Sequence, residues 1–239
     1  MHQSLAYLVR GMRDMRISPM PVVFLSLLAG GLYVFFQIAD EVSENEIERL
    51  DDYVFRLFRS PADVADPLGP PWLEETMAEI TSLGGYPILI VLVASVVGFL
   101  LVAQKRGPAL FVFLSVASGT LVGHVLKLVY DRPRPDLVEP IISTHTASFP
   151  SGHATMSAVV YLTLASLIVR LLDDTSTRIY VILVAVFLTL LIGISRIYLG
   201  VHWPSDVVAG WALGTAWASL SWLTVSALRT YRKRQAVSP

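Results

Sequence analysis

Six long apolar segments, separated by shorter polar ones, dominate the hydrophobic pattern of the chain. They cover residues 20–39, 84–104, 108–130, 152–171, 178–199 and 204–228. A helix that rises about 1.5 Å per residue needs about 20 apolar residues to cross the hydrocarbon core of a bilayer. Lipid cannot hydrogen-bond to exposed backbone groups, so each segment is expected to be helical. The pattern therefore predicts an all-α fold, a bundle of six transmembrane helices.

The first apolar segment follows three arginines, Arg10, Arg13 and Arg16, as the apolar part of a signal peptide would. Its apolar run is longer than such a part usually is, and no cleavage site of small residues follows it. We therefore expect this segment to be a membrane anchor.

The long polar connection, residues 40–83, contains helical patterns of its own. Within residues 46–58, apolar side chains recur at helical spacing between charged ones, at Ile47, Leu50, Val54, Leu57 and Phe58. This pattern is typical of a short amphipathic helix that lies on a membrane surface. Prolines follow, and a second short amphipathic stretch begins at Trp72 and ends at Gly84–Gly85. The connection is either a lid that packs over the bundle or an entry element for lipid.

Composition agrees with a membrane protein. Of the 239 residues, 54% are hydrophobic and 15% are charged, whereas ordinary globular chains have about 25% charged residues. The mean hydropathy is +0.61. The chain has no cysteine, which excludes disulfides and thiolate chemistry, and its net charge of −1 favours no nucleic-acid partner.

The basic residues predict the orientation of the chain. With the N-terminus inside, eleven of the eighteen lysines and arginines lie on the cytoplasmic side: Arg10, Arg13, Arg16, Lys105, Arg106, Arg170, Arg178, Arg229, Arg232, Lys233 and Arg234. This bias favours two cytoplasmic termini in a cell membrane. The expected divisions are a cytoplasmic segment 1–19, a membrane domain 20–228 and a basic tail 229–239. Residues 40–83, 131–151 and 199–204 then face the periplasm or the exterior.

Ionisable side chains cluster at the outer ends of the predicted spans, where charge is costly and often functional. The third span ends with Lys127 and is followed by Arg132 and Arg134. The fourth begins with Ser151, Gly152 and His153, the fifth ends with Ser195 and Arg196, and His202 and Asp206 flank the start of the sixth. Three distant stretches thus bring cations, two imidazoles and a carboxylate to one depth. Such a set suits a phosphate group.

The residue types suggest roles for these side chains. Arg134 and Arg196 can each bind two phosphate oxygens through one guanidinium group, and Lys127 adds a point charge. Ser151 and the amides of Gly152 and His153 lie at a helix N-terminus, which favours an anion. His202 has an acidic partner in Asp206, and Pro204 between them suits the first position of a helix. His202 is therefore the candidate nucleophile and His153 the candidate general acid.

These residues resemble the three-part signature of the type 2 phosphatidic acid phosphatases. The first part runs from Lys127 to Arg134-Pro135, the second is Pro150-Ser151-Gly152-His153, and the third joins Ser195-Arg196 to His202 and Asp206. The spacing within each part is intact. The resemblance extends over about residues 20–228. It implies a phosphohistidine at His202, Asp206 as its partner, His153 as the acid, and no metal or other cofactor. It also implies phosphate contacts from Lys127, Arg134, Ser151, Gly152 and Arg196.

Other polar and aromatic side chains near the cluster receive simpler interpretations. Arg132 is expected to pair with Asp131 or Asp136 rather than to contact phosphate. His124 either orients Lys127 or makes a hydrogen bond between helices, and His145 is expected to be solvated. The aromatic residues Tyr198, Trp203 and Trp211 are expected in the interfacial belt of the membrane.

Hydrolysis of a lipid phosphate monoester or diphosphate is the function that this set of residues favours. Phosphatidic acid, phosphatidylglycerophosphate and undecaprenyl diphosphate are the candidate substrates, with the lipid bilayer as the surroundings. A lipid phosphotransferase would use the same residues, so that alternative stays open. A transporter is a distant alternative, because transporters tend to have repeats and charges near the membrane midplane. The sequence carries no signal for an oligomeric state.

Overall fold

The computed structural model describes residues 19–135 and 147–235, which form eight α-helices and no strand. We number the helices in chain order: α1 Pro19–Ser43, α2 Glu48–Arg56, α3 Pro71–Ser82, α4 Tyr86–Val102, α5 Arg106–Tyr130, α6 Gly152–Ile168, α7 Thr175–Tyr198 and α8 Pro204–Gln235. A short 3-10 helix, Val169–Leu171, continues α6. The predicted all-α class is confirmed for these residues.

Four helices of the described chain are long and apolar enough to cross a membrane: α1, α5, α6 with its 3-10 continuation, and α7. Helices α3 and α4 together form a fifth candidate span, which is bent by 42° at the break between them. Helix α8 is the longest of the eight, but its many Ser, Thr and Gly residues lower its hydropathy. Length and composition thus support four or five spans, and the sixth stays a prediction.

Helix α8 is central, since it packs against α1, α2, α5, α6 and α7. Its contact with α6 is made by small residues one turn apart. A Cβ atom on Gly210 would lie 2.9 Å from both Ala154 Cβ and Ser151 O, and one on Gly214 would lie 2.6 Å from Thr155 O. Small residues of this kind let two membrane helices approach closely. The approach brings the first turn of α8 beside the first turn of α6.

Helix α1 packs along another face of α8. A Cβ atom on Gly31 would lie 2.7 Å from Ala212 O, so these two backbones are also close. Towards the end of α1, the buried Phe35 packs with Phe149 and Leu213 in one hydrophobic cluster. This cluster holds the segment before α6 against α1 and α8.

Helix α2 occupies the first of the two predicted amphipathic stretches. Ile47, Asp51 and Phe55 lie on one face and are buried, whereas Leu50 and Leu57 are exposed. A buried face of this kind agrees with a helix that packs on the bundle, and α2 does contact α8. Its placement on a membrane surface stays a prediction.

The predicted interfacial position is wrong for Tyr198, which is buried, and it stays a prediction for Trp203 and Trp211, which are partly buried. Tyr198 is 4% exposed, and its hydroxyl donates a hydrogen bond to Leu68 O at 3.0 Å. The indole of Trp211 donates to Thr189 O at 3.0 Å and fills the space that Gly193 leaves open on α7. Trp203 is partly buried beside Phe55, with ring centroids 5.5 Å apart. These rings join elements of the protein to one another because each can bury its apolar body and still satisfy its polar atom.

Replacing Gly214 by alanine is expected to destabilise the protein. The new methyl group would meet Thr155 O at 2.6 Å and Ala158 Cβ at 2.5 Å, and overpacking of this kind costs about 1–3 kcal/mol. The measurement is the melting temperature of the detergent-solubilised protein, which should fall. Gly98→Ala is the matched control, because no atom of the described chain lies within 4 Å of a Cβ atom there. Equal melting temperatures for the two variants would contradict the proposed close contact.

Candidate functional site

Three segments of chain meet at the start of α8 and are joined there by backbone hydrogen bonds. Helix α5 ends at Tyr130 because Asp131 adopts a left-handed conformation, with φ 33°. The following segment is fixed by a hydrogen bond from Ser148 N to Arg132 O at 2.8 Å. Ser151 N donates to Asp206 O at 2.9 Å, which joins the first turns of α6 and α8. The convergence expected of these three stretches is therefore present.

His202 lies in the tight connection between α7 and α8 and is 2% exposed. Gly200 makes that connection possible, since its φ of 72° is one that residues with a side chain rarely adopt. The Nε2 atom of His202 is 3.3 Å from Arg134 Nη1, and the Nδ1 atom is 3.2 Å from Ser148 Oγ. Both ring nitrogens thus have partners.

These partners define the tautomer of His202. A guanidinium group can only donate, so a hydrogen bond from Arg134 requires an unprotonated Nε2. The proton is then on Nδ1, facing Ser148 and Asp206. Burial lowers the pKa of the His202 imidazole to about 3, although the Asp206 carboxylate acts in the opposite direction. The ring is therefore neutral at pH 7, and Nε2 is the unprotonated nitrogen.

Asp206 reaches His202 less directly than the sequence suggests. Its Oδ2 atom is 3.4 Å from His202 Nδ1, which is long for a hydrogen bond. The hydroxyl of Ser148 lies between them, because it contacts Nδ1 and donates to Asp206 Oδ2. The same Oδ2 accepts a hydrogen bond from Trp203 N at 2.9 Å, at the N-terminus of α8. Asp206 therefore holds both the imidazole and the start of its own helix.

The three expected phosphate-binding cations lie around this histidine. Lys127 Nζ donates to Ala147 O at 2.8 Å, and Arg134 Nη1 donates to Val201 O at 2.8 Å. Arg196 Nη1 contacts Thr81 Oγ1 at 3.2 Å, at the end of α3. Lys127 is close enough to Arg134 and Arg196 for their charges to affect its ionisation. The three cations thus form one positive region, with Lys127 and Arg134 from the first converging segment and Arg196 from the third.

Two buried polar atoms beside this region have no hydrogen-bond partner among the described residues. Ser151 Oγ and Arg196 Nε are buried, and no group in residues 19–135 or 147–235 hydrogen-bonds to either of them. Buried polar groups normally have a partner, so such atoms need an explanation. Gly152 adjoins them, and a Cβ atom there would make only ordinary contacts, 3.6 Å from Lys127 Cε and 3.6 Å from Tyr86 Oη. Packing within the described protein therefore does not require glycine at position 152.

His153 is partly buried in the first turn of α6 and faces the turn between α3 and α4. A Cβ atom on Gly85 would lie 3.8 Å from His153 Nε2. The charges of Arg196, Arg134 and Lys127, together with His202, all reach the His153 imidazole. Both histidines therefore border the same positive region.

Arg132 does not pair with Asp131 in the described structure, and the other expected partner, Asp136, lies outside the described residues. Arg132 Nη1 binds Asp206 Oδ1 at 2.7 Å, and Nη2 binds Asp51 Oδ2 at 2.7 Å. The left-handed turn at Asp131 directs the next residue back towards the start of α8, where both carboxylates lie. Burial lowers the pKa of the Arg132 guanidinium, but the two carboxylates outweigh it and leave the pKa above its ordinary value.

Sequence reasoning missed Asp51, Arg59 and Ser148. Asp51 is buried on the same face of α2 as Ile47 and Phe55, and a carboxylate within an apolar stripe is the signal that could have found it. Arg59 is also buried and donates to Ile197 O and Tyr198 O, at 3.2 and 3.0 Å, at the C-terminal end of α7. Its position after α2 gave no such signal.

The remaining expectations about histidines and metals have simple outcomes. His124 is exposed, and its imidazole makes no hydrogen bond to another described residue. His145 and Asp136 lie outside the described residues. No cluster of three or more His, Cys, Asp or Glu side chains that could hold a metal ion occurs in the part of the chain that is described.

Comparison with known proteins relates this site to a family. Residues 108–230 match the PAP2 superfamily. Phosphatidylglycerophosphatase B of Bacillus subtilis is 34% identical over 185 residues, which are 77% of this chain and 87% of that protein. An undecaprenyl-diphosphatase of Sulfolobus acidocaldarius is 32% identical over 127 residues, 50% of this chain and 56% of that protein.

The fold is also similar to a solved structure. The crystal structure of a transmembrane PAP2-type phosphatidylglycerolphosphate phosphatase from Bacillus subtilis has a TM-score of 0.74 and 28% sequence identity, and the alignment covers 86% of this chain and 97% of that one. Sequence and structure agree, and the matched residues include all three converging segments. The chain belongs to the PAP2 superfamily.

Proposed function

We propose that the protein is an integral membrane phosphatase that hydrolyses lipid phosphates through a phosphohistidine at His202. The observation that carries this proposal is the neutral, buried imidazole of His202, whose unprotonated Nε2 contacts Arg134 at the edge of a positive region. Nearby, Ser151 Oγ and Arg196 Nε are buried without partners in the described chain. A nucleophile next to hydrogen-bond donors that could bind phosphate oxygens suits attack on a phosphate group.

The charge of the site suits a phosphate monoester. Among the described residues, the site contains four cations, Lys127, Arg132, Arg134 and Arg196, and two carboxylates, Asp51 and Asp206, both of which bind Arg132. A phosphate monoester carries about −1.5 to −2 at pH 7. Substrate binding would therefore bring negative charge to these cations. Ser151, Gly152 and the first turn of α6 would add hydrogen-bond donors from a helix N-terminus.

The first half of the reaction transfers phosphate to the protein. The Nε2 lone pair of His202 attacks phosphorus and forms an N–P bond while the bond to the lipid oxygen breaks. Ser148 and Asp206 hold the Nδ1 proton and stabilise the positive imidazole that results. His153, on the other side of the site, protonates the departing oxygen. Arg134 contacts the attacking atom in this structure, so its guanidinium would shift onto a phosphate oxygen.

The second half returns the enzyme to its starting state. His153, now neutral, takes a proton from water as the water attacks phosphorus, and the N–P bond breaks. Inorganic phosphate leaves and His202 regains its lone pair. The cations supply the charge stabilisation that a metal ion provides in other phosphatases, so no cofactor is needed.

The relatives indicate the class of substrate. The match to phosphatidylglycerophosphatase B covers most of both chains, which makes phosphatidylglycerophosphate the first candidate. Undecaprenyl diphosphate is the second, on the shorter match to an undecaprenyl-diphosphatase. Phosphatidic acid, which the sequence signature suggests, is the third. In each, a phosphate head group would enter the polar cluster while the chains stay in the bilayer.

Purified protein is expected to release inorganic phosphate from at least one of these three lipids in detergent. Supplying one labelled lipid without an acceptor separates hydrolysis from phosphotransfer, because only hydrolysis then yields free phosphate. His202→Ala should reduce turnover by at least about a thousandfold, since the nucleophile is lost. His124→Ala, at an exposed histidine of α5, should retain wild-type turnover. Near-normal activity in the His202 variant would exclude the covalent mechanism.

We also propose six spans with both termini in the cytoplasm and the site at the outer face. The basic residues between α4 and α5, between α6 and α7, and at the end of α8 support this orientation. Helix α8 would be the sixth span, since α1, α5, α6 and α7 surround it in the described chain and shield its polar residues from lipid.

Single cysteines test this orientation directly, because the natural chain has none. Ala62→Cys places a thiol in the exposed connection after α2, and Asp173→Cys places one in the exposed connection before α7. A membrane-impermeant maleimide added to intact spheroplasts should label Ala62→Cys. It should label Asp173→Cys only after the membrane is permeabilised. The reverse pattern would show that the site faces the cytoplasm.

A further inference from the structure

A buried chain of charges connects helix α2 to the candidate nucleophile. Asp51 Oδ2 binds Arg132 Nη2 at 2.7 Å, and Arg132 Nη1 binds Asp206 Oδ1 at 2.7 Å. Asp51 and Asp206 are 2% and 0% exposed, and the Arg132 side chain is 10% exposed. Ion pairs this deeply buried are screened little by solvent, so a change at one end affects the other. Asp51 belongs to none of the three segments that carry the family signature.

Asp51 also fixes the backbone where α8 begins. Its Oδ1 atom accepts a hydrogen bond from Ser205 N at 2.8 Å, and its Oδ2 atom accepts one from Ser205 Oγ. Ser205 is the second residue of α8, and its amide is one of those that a capping side chain usually satisfies. Trp203, which precedes the helix, has no acceptor in its side chain. Asp51 therefore caps α8 from another helix.

The two carboxylate oxygens of Asp206 have different partners, and this difference links Asp51 to His202. Arg132 occupies Oδ1, whereas Oδ2 faces Ser148, Trp203 N and His202. With Asp51 present, the charge of Arg132 is shared between two carboxylates. Without the negative charge of Asp51, Arg132 would draw the negative charge of Asp206 towards Oδ1 and away from His202.

We infer that Asp51 is a positioning residue for catalysis, which acts through Arg132 and Asp206 to hold the His202 imidazole and its Nδ1 proton in place. This inference rests on the proposed function of His202. It makes α2 a part of the catalytic apparatus rather than only a cover over the bundle. Asp51 acts on the chemical step, and it does not touch the substrate.

The neighbouring aspartate supplies a matched control. Asp52 is on the outer face of α2 and binds Arg56 at 2.8 Å in a solvent-exposed ion pair. Exposed pairs of this kind contribute little to stability. Asp51→Asn and Asp52→Asn thus make the same chemical change at adjacent positions, one inside the charge chain and one outside it.

The test compares kcat and KM for the wild type and for four variants: Asp51→Asn, Asp52→Asn, Arg132→Gln, and the double variant Asp51→Asn with Arg132→Gln. Each is measured on monodisperse protein from size exclusion, so that loss of folded protein does not count as loss of rate. Asp51→Asn should lower kcat roughly tenfold, the size of coupling that one buried ion-pair network carries. Its KM should change less than about twofold, because the phosphate contacts remain. Asp52→Asn should match the wild type.

The double variant shows whether Asp51 acts through Arg132. Its kcat should be no lower than that of Arg132→Gln alone, because the residue that carries the effect is already gone. Wild-type kcat in Asp51→Asn, an effect on KM alone, or losses that multiply in the double variant would each overturn the inference while leaving the proposed function intact. A wild-type protein that releases phosphate from none of the lipids would overturn both.

Discussion

The close approach of α8 to α6 is the contact on which the site depends. Gly210 and Gly214 leave no side chain between the two backbones, so the first turns of these helices lie side by side. The hydrogen bond from Ser151 N to Asp206 O then joins the start of α6 to the segment with the candidate nucleophile. A bulkier residue at this contact would separate the two halves of the site. The chemistry therefore depends on residues that have no polar atoms in their side chains.

The second constraint is the burial of charge. Bringing four cations together beneath a protein surface is unfavourable unless carboxylates or a ligand compensate them. Asp51 and Asp206 compensate Arg132, and backbone carbonyls solvate Lys127 and Arg134. The charges of Arg134 and Arg196 reach both histidines, so the cations lie close to the candidate nucleophile and the candidate acid.

The sequence predicted the parts of this arrangement that leave a periodic or local pattern. Long apolar runs predicted the helices, and the spacing of Lys127, Ser151, His153, Arg196 and His202 predicted the segments that converge. It did not predict the partner of Arg132, because Asp51 is 81 positions away and joins the site only through the docking of α2. Ser148 was missed because its hydroxyl matters only once the turn before α6 lies against His202. Contacts that depend on how separate helices pack leave little trace in a single sequence.

Trapping the covalent intermediate tests the central claim most directly. The protein is mixed with a lipid substrate that carries a radiolabelled phosphate, quenched within milliseconds to seconds in alkaline detergent, and digested. A phosphoramidate is stable in alkali and labile in acid, so the account predicts an acid-labile label on the peptide that contains His202. Rapid release of phosphate with no label on the protein, or with the label on another residue, would contradict the account.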